Sequence, residues 1–89
     1  MKTLKIFVTG SVQGVYFRQF VNKKANELKL KGFVRNLDDG RVEVVVEGRD
    51  ERVNEMVEAC KKGAPQANVK EVQTQELSNQ GFNSFKILR

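Results

Sequence analysis

Residues 4–28 read LKIFVTGSVQGVYFRQFVNKKANEL, and the spacing of their apolar side chains changes in the middle. The first six positions alternate with a period of two and carry apolar residues on both faces, which predicts a central β-strand. From about Phe17 the spacing becomes four, four and three, through Val21, Ala25 and Leu28. That spacing predicts a helix of about three turns, which should end before Gly32. The glycine-containing segment 10–14 therefore connects a strand to a helix.

The rest of the chain contains five further predicted elements. Strands at 33–37 and 41–47 flank Asp39-Gly40, a pair typical of a tight hairpin turn because glycine tolerates a positive φ. A second helix follows, with Asp50 as its N-cap and Gly63 as its C-cap. Its apolar stripe consists of Val53, Met56, Val57 and Cys60. Two last strands are predicted at 69–77 and 82–88.

This order of elements, β-α-β-β-α-β with a terminal strand, restricts the architecture. A tight hairpin between the second and third strands does not fit a simple wound sheet with helices on both faces. The pattern instead predicts an α+β fold, a ferredoxin-like split β-α-β sandwich. In this arrangement an antiparallel sheet of four to five strands carries two helices on one face, with the first and third strands in the centre. We expect residues 1–89 to form a single domain.

The composition excludes several kinds of catalysis. The chain has no His and one Cys, so Ser-His-Asp and Cys-His catalysis, phosphohistidine chemistry, an internal disulfide and a multi-thiolate zinc site are all ruled out. Cys60 lies on the apolar stripe of the second helix and is predicted to be a core residue. A cysteine phosphatase would need Arg six positions later, where this chain has Gln66.

The charge of the chain is unevenly distributed. The net charge is +5, and residues 1–36 carry eight Lys or Arg against one acidic residue, Glu27. This indicates an anionic partner, which could be a phosphate compound, a nucleic acid or a membrane surface; a solvated basic face explains the charge equally well. The N-terminal apolar stretch is too short and too alternating for a signal peptide. Together with the single Cys, this predicts a cytoplasmic location.

The segment 10–18, GSVQGVYFR, combines three features that suit phosphate binding. Main-chain N–H groups in such a turn can converge on an anion, and the N-terminus of the following helix adds unpaired donors. Arg18 adds a planar fork that suits two phosphate oxygens. The segment is neither a Walker loop nor a Rossmann fingerprint. From these residues alone, an ordinary glycine-containing loop with a solvated Arg remains open.

Two separated motifs resemble the signatures of the acylphosphatase family. Residues 8–18, VTGSVQGVYFR, resemble the first, and residues 32–36, GFVRN, followed by Gly40, Val42 and Gly48, resemble the second. The likeness continues through the second helix to residues 85–87. It departs at Ser11, where members often carry a basic residue, and at Ala64, where they often carry a second Pro.

The resemblance implies metal-free hydrolysis of the carboxyl–phosphate bond of acyl phosphates, without a cofactor. It implies that Arg18 and Asn36 are catalytic, with Asn36 orienting the attacking water. The phosphoryl group, or a phosphate or sulfate ion, would be bound by Arg18 and by the loop Gln13, Gly14, Val15, Tyr16, Phe17 and Arg18. The Gln13 side chain is interpreted as stabilising the loop, and Tyr16 either flanks the leaving group or is a surface aromatic residue. Without the motif, Asn36 would be a turn-capping residue.

Two rival interpretations are weaker. RNA-binding RRM domains share this order of strands and helices, and Lys31-Gly32-Phe33 resembles the start of an RNP1 motif. However, residues 41–47 contain no aromatic side chain to stack a base and two acidic ones. Similar domains also form the N-terminal part of hydrogenase-maturation carbamoyltransferases. The chain is expected to be a free-standing monomer that acts on a small molecule and binds neither nucleic acid nor membrane.

Overall fold

The order of elements in the computed structural model, which describes residues 1–14 and 16–88, is the one predicted from the apolar spacing. The five strands are β1 (Lys2–Ser11), β2 (Lys31–Asn36), β3 (Val42–Gly48), β4 (Asn68–Leu77) and β5 (Phe85–Ile87). The two helices are α1 (Phe17–Glu27) and α2 (Asp50–Lys62). Within the described ranges, no helix is long and apolar enough to cross a membrane.

The five strands form one sheet in the order β4-β1-β3-β2-β5. The first four strands pair antiparallel, and β1 and β3 lie in the interior of the sheet as predicted. The terminal strand β5 pairs parallel to β2, so the sheet is mixed rather than wholly antiparallel. The reason is that β4 ends and β2 begins at the same end of the sheet, opposite Thr3 and Glu47 respectively. The short connection from β4 to β5 crosses that end of the sheet. β5 therefore starts where β2 starts and runs in the same direction.

One face of the sheet and both helices share a single apolar core. The buried sheet residues of this core are Leu4, Ile6, Val8, Val34, Val42, Val44, Val46 and Phe85. The buried helix residues are Phe17, Val21, Ala25, Val53, Met56 and Cys60. Both helices therefore lie on the same face, as the split β-α-β arrangement requires. Cys60 is a core residue, and its burial raises the pKa of the thiol to about 12.

The opposite face of β3 carries two buried carboxylates. Glu43 lies 3.7 Å from the ammonium of Lys5 and forms an ion pair with Arg35. Glu47 accepts a hydrogen bond of 2.7 Å from the hydroxyl of Thr3. It also accepts bonds from the main-chain N–H groups of residues 80–82, which belong to the crossing between β4 and β5. Glu47 thus fixes the segment that brings β5 to the edge of β2.

The ends of α2 differ in how well they were predicted. Gly63 is the C-cap, as expected. The prediction that Asp50 is the N-cap is wrong, because Arg49 is the N-cap and Asp50 is the first helical residue. The carbonyl of Arg49 already accepts the N–H groups of Arg52 and Val53, so the helical bonding begins one residue earlier. Asp50 and Glu51 instead lie in the first turn, where their charges suit the positive end of the helix dipole.

Candidate active site

The connection between β1 and α1 is anchored by a close approach of β1 to β4. The register of these strands shifts between Thr9 and Gly10. Gly10 has a φ of 138°, and a Cβ at this position would collide with the main-chain carbonyl oxygen of Asn68. The side chain of Val12, two residues later, is buried in the core. Together these contacts fix the path along which the chain leaves the sheet and enters the predicted phosphate loop.

The Gln13 side chain ties this loop to the β2–β3 turn. Its amide nitrogen donates to the carbonyls of Leu37, at 2.8 Å, and Arg41, at 3.0 Å. The carboxylate of Asp39 caps the same turn by accepting the Arg41 N–H at 3.0 Å. That hydrogen bond holds the pKa of Asp39 below its usual range. Gln13 therefore has the loop-stabilising side chain that we expected, and its bonds hold the end of β2 beside the loop.

Tyr16, the residue that precedes α1, has an unusual backbone conformation. It is the N-cap of α1 and has a φ of 60°, in the left-handed region that side chains other than glycine rarely adopt. Such a conformation costs about 1–3 kcal/mol and persists only where the surroundings impose it. The side chain of Tyr16 makes no capping hydrogen bond and is 75% exposed. The N–H groups of the first helical turn, which have no partners within the helix, therefore lack a side-chain cap as well.

Arg18, in the first turn of α1, is held by the end of the chain's last strand. Its guanidinium Nη1 donates to the carbonyl of Leu88 at 2.9 Å, and the Leu88 N–H donates to the carbonyl of Val34 on β2. A guanidinium has five N–H donors, so the rest of the fork is left for a ligand. No sequence signal indicated this contact, because the acceptor is a main-chain carbonyl seventy positions away.

Asn36 is the last residue of β2, and its side-chain oxygen is unsatisfied. Oδ1 is buried, yet it accepts no hydrogen bond within the described part of the chain. Leaving a buried acceptor unpaired costs about 1–3 kcal/mol, so such an atom in a native fold calls for a functional explanation. The neighbouring turn is capped by Asp39, so turn capping does not account for the amide of Asn36.

A cleft of about 270 Å³ brings the predicted residues together. It is lined by Val12, Gly14, Tyr16, Phe17, Arg18, Gln19 and Asn36. Gln13 lies behind this lining as a support, and the predicted phosphate-binding residue Val15 lies outside the described residues. Gln19 was not predicted, although its place in the first helical turn beside Arg18 could have indicated it.

Among the described residues of this lining, Arg18 has the one charged side chain, so the cleft is suited to a small anion. Over residues 1–14 and 16–88, no three His, Cys, Asp or Glu side chains are grouped so that they could hold a metal ion. The arrangement therefore offers a cationic fork, helix N-terminal donors and a free carboxamide around one small space. Such a set can hold a tetrahedral anion and a water molecule beside it.

Comparisons with known proteins point to one family. The sequence profile of the acylphosphatase family matches residues 4–87. An acylphosphatase of Haloarcula marismortui is 45% identical over 82 residues, which is 92% of this chain and 90% of that protein. The crystal structure of acylphosphatase from Bacillus subtilis superposes with a TM-score of 0.97 at 42% identity and covers both chains fully. The structure of HypF from T. kodakarensis is 43% identical with a TM-score of 0.82, but the match spans only 12% of that chain.

The fold and these relatives define a small α+β hydrolase. The chain belongs to the acylphosphatase family. The predicted fold class and the predicted enzyme class, a hydrolase of acyl phosphates, are thereby confirmed. The HypF match shows that the same domain also occurs within a much longer protein.

Proposed function

We propose that the chain hydrolyses the carboxyl–phosphate bond of acyl phosphates in the cleft between the β1–α1 loop and the end of β2, without a metal ion. The observation that carries this proposal is that Asn36, whose buried Oδ1 has no hydrogen-bond partner among the described residues, lines the same cleft as Arg18. An unsatisfied acceptor next to an anion-binding group is what positioning of a water molecule against a phosphoryl group requires.

The phosphoryl group would be bound by Arg18 and by the loop that precedes it. The contact to the Leu88 carbonyl restrains the guanidinium, so less rotational freedom is lost when the substrate binds. The main-chain N–H groups of Gln13 to Arg18, including Val15, are proposed to donate to the remaining phosphoryl oxygens. Donors that are in place before a reaction stabilise the charge of its transition state without reorganisation.

Asn36 would hold the attacking water. Its carbonyl oxygen can accept a hydrogen bond from the water, and its NH₂ group can donate to a phosphoryl oxygen. The water oxygen forms a bond to phosphorus while the bond from phosphorus to the acyl oxygen breaks, and the electron pair leaves with the carboxylate. The water protons remain on the phosphate and the solvent. Since a carboxylate is a good leaving group, positioning and charge stabilisation are sufficient without a histidine base.

The experiment that tests this proposal is hydrolysis of benzoyl phosphate by the purified protein, with and without EDTA. We expect the same rate in both conditions. Failure to hydrolyse the substrate, or loss of activity with EDTA, would overturn the metal-free proposal. Inorganic phosphate or sulfate should inhibit competitively, because either anion would occupy the position of the phosphoryl group.

The remaining predictions concern the oligomeric state, location and partners of the chain. We propose that residues 1–89 act as one domain and as a monomer in the cytoplasm, on a small-molecule substrate, without binding nucleic acid or membranes. The single buried thiol of Cys60 suits a reducing compartment. Light scattering at the protein concentration of the activity assay tests whether the chain is a monomer. A salt-dependent shift of single-stranded RNA at micromolar protein would instead support the RNA-binding interpretation.

A further inference from the structure

A second groove, which we call the acyl groove, adjoins the cleft on the far side of Tyr16. It has a volume of about 400 Å³ and is lined mainly by the apolar groups Tyr16, Phe20, Ala64 and Pro65, with Lys23 at its edge. Tyr16 and Gln19 line both the groove and the cleft, so the two spaces are adjacent. The strained backbone of Tyr16 places an exposed ring between them.

The acyl groove and Asn36 lie on opposite sides of the phosphate loop. The loop leaves the sheet at the end of β1, where Ser11 is paired with Asn68 at the start of β4. Ala64 and Pro65 precede that start of β4, on the β4 side of the sheet. Asn36 ends β2, which lies beyond β3 on the other side of β1. A phosphoryl group on the loop would therefore have Asn36 on one side and the acyl groove on the other.

In-line displacement at phosphorus needs this kind of arrangement. The attacking and the leaving oxygen lie on opposite sides of the phosphorus atom. If the water is held at Asn36, the carboxylate leaves past Tyr16 and carries its acyl group towards the groove. We propose, building on the proposed function, that the acyl groove binds the hydrocarbon part of the acyl group and makes the chain favour acyl phosphates with an apolar chain or ring over acetyl phosphate.

The expected size of this preference follows from burial of hydrocarbon. A fully buried methylene group favours binding by about fourfold, and an open groove that covers part of it by about twofold. The acyl chain contacts the groove both before and during the reaction, so the gain should appear mainly as a lower KM. Straight-chain acyl phosphates suit the measurement because their carboxylic acids have nearly equal acidities and differ in length alone.

The test measures kcat/KM for acetyl, propanoyl, butanoyl and pentanoyl phosphate. For the unmodified chain we expect a rise of about two- to fourfold per added methylene group. In Phe20→Ala and in Pro65→Ser this rise should flatten, while acetyl phosphate is still hydrolysed within about threefold of the unmodified rate. Pro65 is exposed, so its substitution leaves the core intact even if loss of Phe20 weakens folding.

Phe82→Ala is a matched control. Phe20 and Phe82 are both half-buried and each packs on one other ring, at centroid distances of 5.9 Å to Phe17 and 6.0 Å to Phe33. Phe82 lies by the opposite face of the sheet, so its loss should leave the dependence on chain length unchanged. Equal kcat/KM across the series, with acetyl phosphate hydrolysed normally, would overturn the acyl groove, and so would a rise that persists in both groove variants. Failure to hydrolyse any of the four compounds would overturn the proposed function itself.

Discussion

A hydrogen bond at one end of its guanidinium restrains the side chain of Arg18. One end of the fork is bound to the Leu88 carbonyl at 2.9 Å, and the cleft lies on the other side. We expect Arg18→Ala to lower kcat/KM for benzoyl phosphate by about 10²–10³, the scale of losing one preorganised charge-stabilising donor. Arg18→Lys is the matched control, because it keeps the charge and loses the planar fork. Its kcat/KM should lie between those of the unmodified chain and Arg18→Ala. Near-normal activity of Arg18→Ala would contradict the proposed site.

Because the side-chain oxygen of Asn36 has no partner among the described residues, we expect its loss to affect activity but not stability. Asn36→Ala should lower kcat while leaving KM nearly unchanged, because water positioning matters in the transition state. The same change removes a buried acceptor that is unpaired in the described structure, so it should not lower the melting temperature. Calorimetry and steady-state kinetics on one preparation measure both effects. A clear drop in melting temperature, or an increase in KM alone, would identify Asn36 as a structural or a binding residue instead.

Glu47 makes the stability of the fold depend on pH. Burial alone would raise the pKa of Glu47, but the hydrogen bonds from Thr3 and from the N–H groups of Gln80, Phe82 and Gly81 outweigh it and hold the pKa below its ordinary value of 4.5. Because the folded pKa is the lower one, this stabilisation is present above pH 4.5 and is lost as the pH falls through the folded pKa.

Glu47→Gln tests this dependence. At pH 7 it should lower the free energy of unfolding by about 2–3 kcal/mol, the scale of a buried hydrogen bond to a charged group. Towards pH 3 the difference between the two proteins should shrink, because the unmodified carboxylate then protonates. Urea unfolding of both proteins at pH 7 and pH 3 measures this difference in the free energy of unfolding. A difference that stays constant would show that the charge of Glu47 is irrelevant to stability.

At the scale of elements, apolar spacing predicted the helices and the central strands but missed the direction in which the last strand pairs. Both helices and the central strands follow from periods that their own residues carry. The parallel pairing of β5 could not be predicted this way, because it depends on where β4 ends and on the crossing held by Glu47. The N-cap of α2 was placed one residue late because an acidic side chain suits both the cap and the first turn.

The β1–β4 junction gives the element-scale prediction. In Gly10→Ala the new Cβ would meet the main-chain carbonyl of Asn68, which cannot move without breaking the sheet register. We expect a loss of about 2–4 kcal/mol in the free energy of unfolding. Gly40→Ala is the control, since Gly40 also has a positive φ, of 95°, but apart from its two chain neighbours no described residue has an atom within 4 Å of the added carbon. It should cost about 1 kcal/mol. Equal losses for both variants would show that φ alone accounts for the effect.

At the scale of the whole molecule, the site exists only when distant segments meet. The two motifs indicated Arg18 and Asn36, because those residues carry their chemistry in their side chains. The carbonyls of Leu37, Arg41 and Leu88, which hold Gln13 and Arg18, carry no residue-specific signal, so the sequence could not reveal them. The sheet order brings them together by seating β2 between β3 and β5.

The contact between Arg18 and Leu88 makes activity depend on the last strand. Deleting residues 88 and 89 removes the carbonyl that restrains the guanidinium, and a misplacement of about 1 Å at such a group can cost up to about 10²-fold in rate. We therefore expect kcat/KM for benzoyl phosphate to fall about tenfold or more, with the melting temperature lowered less than by a core substitution. Leu88→Ala keeps the main-chain carbonyl and should retain nearly full activity, as should deletion of Arg89 alone. If Leu88→Ala were as inactive as the deletion, the side chain rather than the carbonyl would be the group that Arg18 needs.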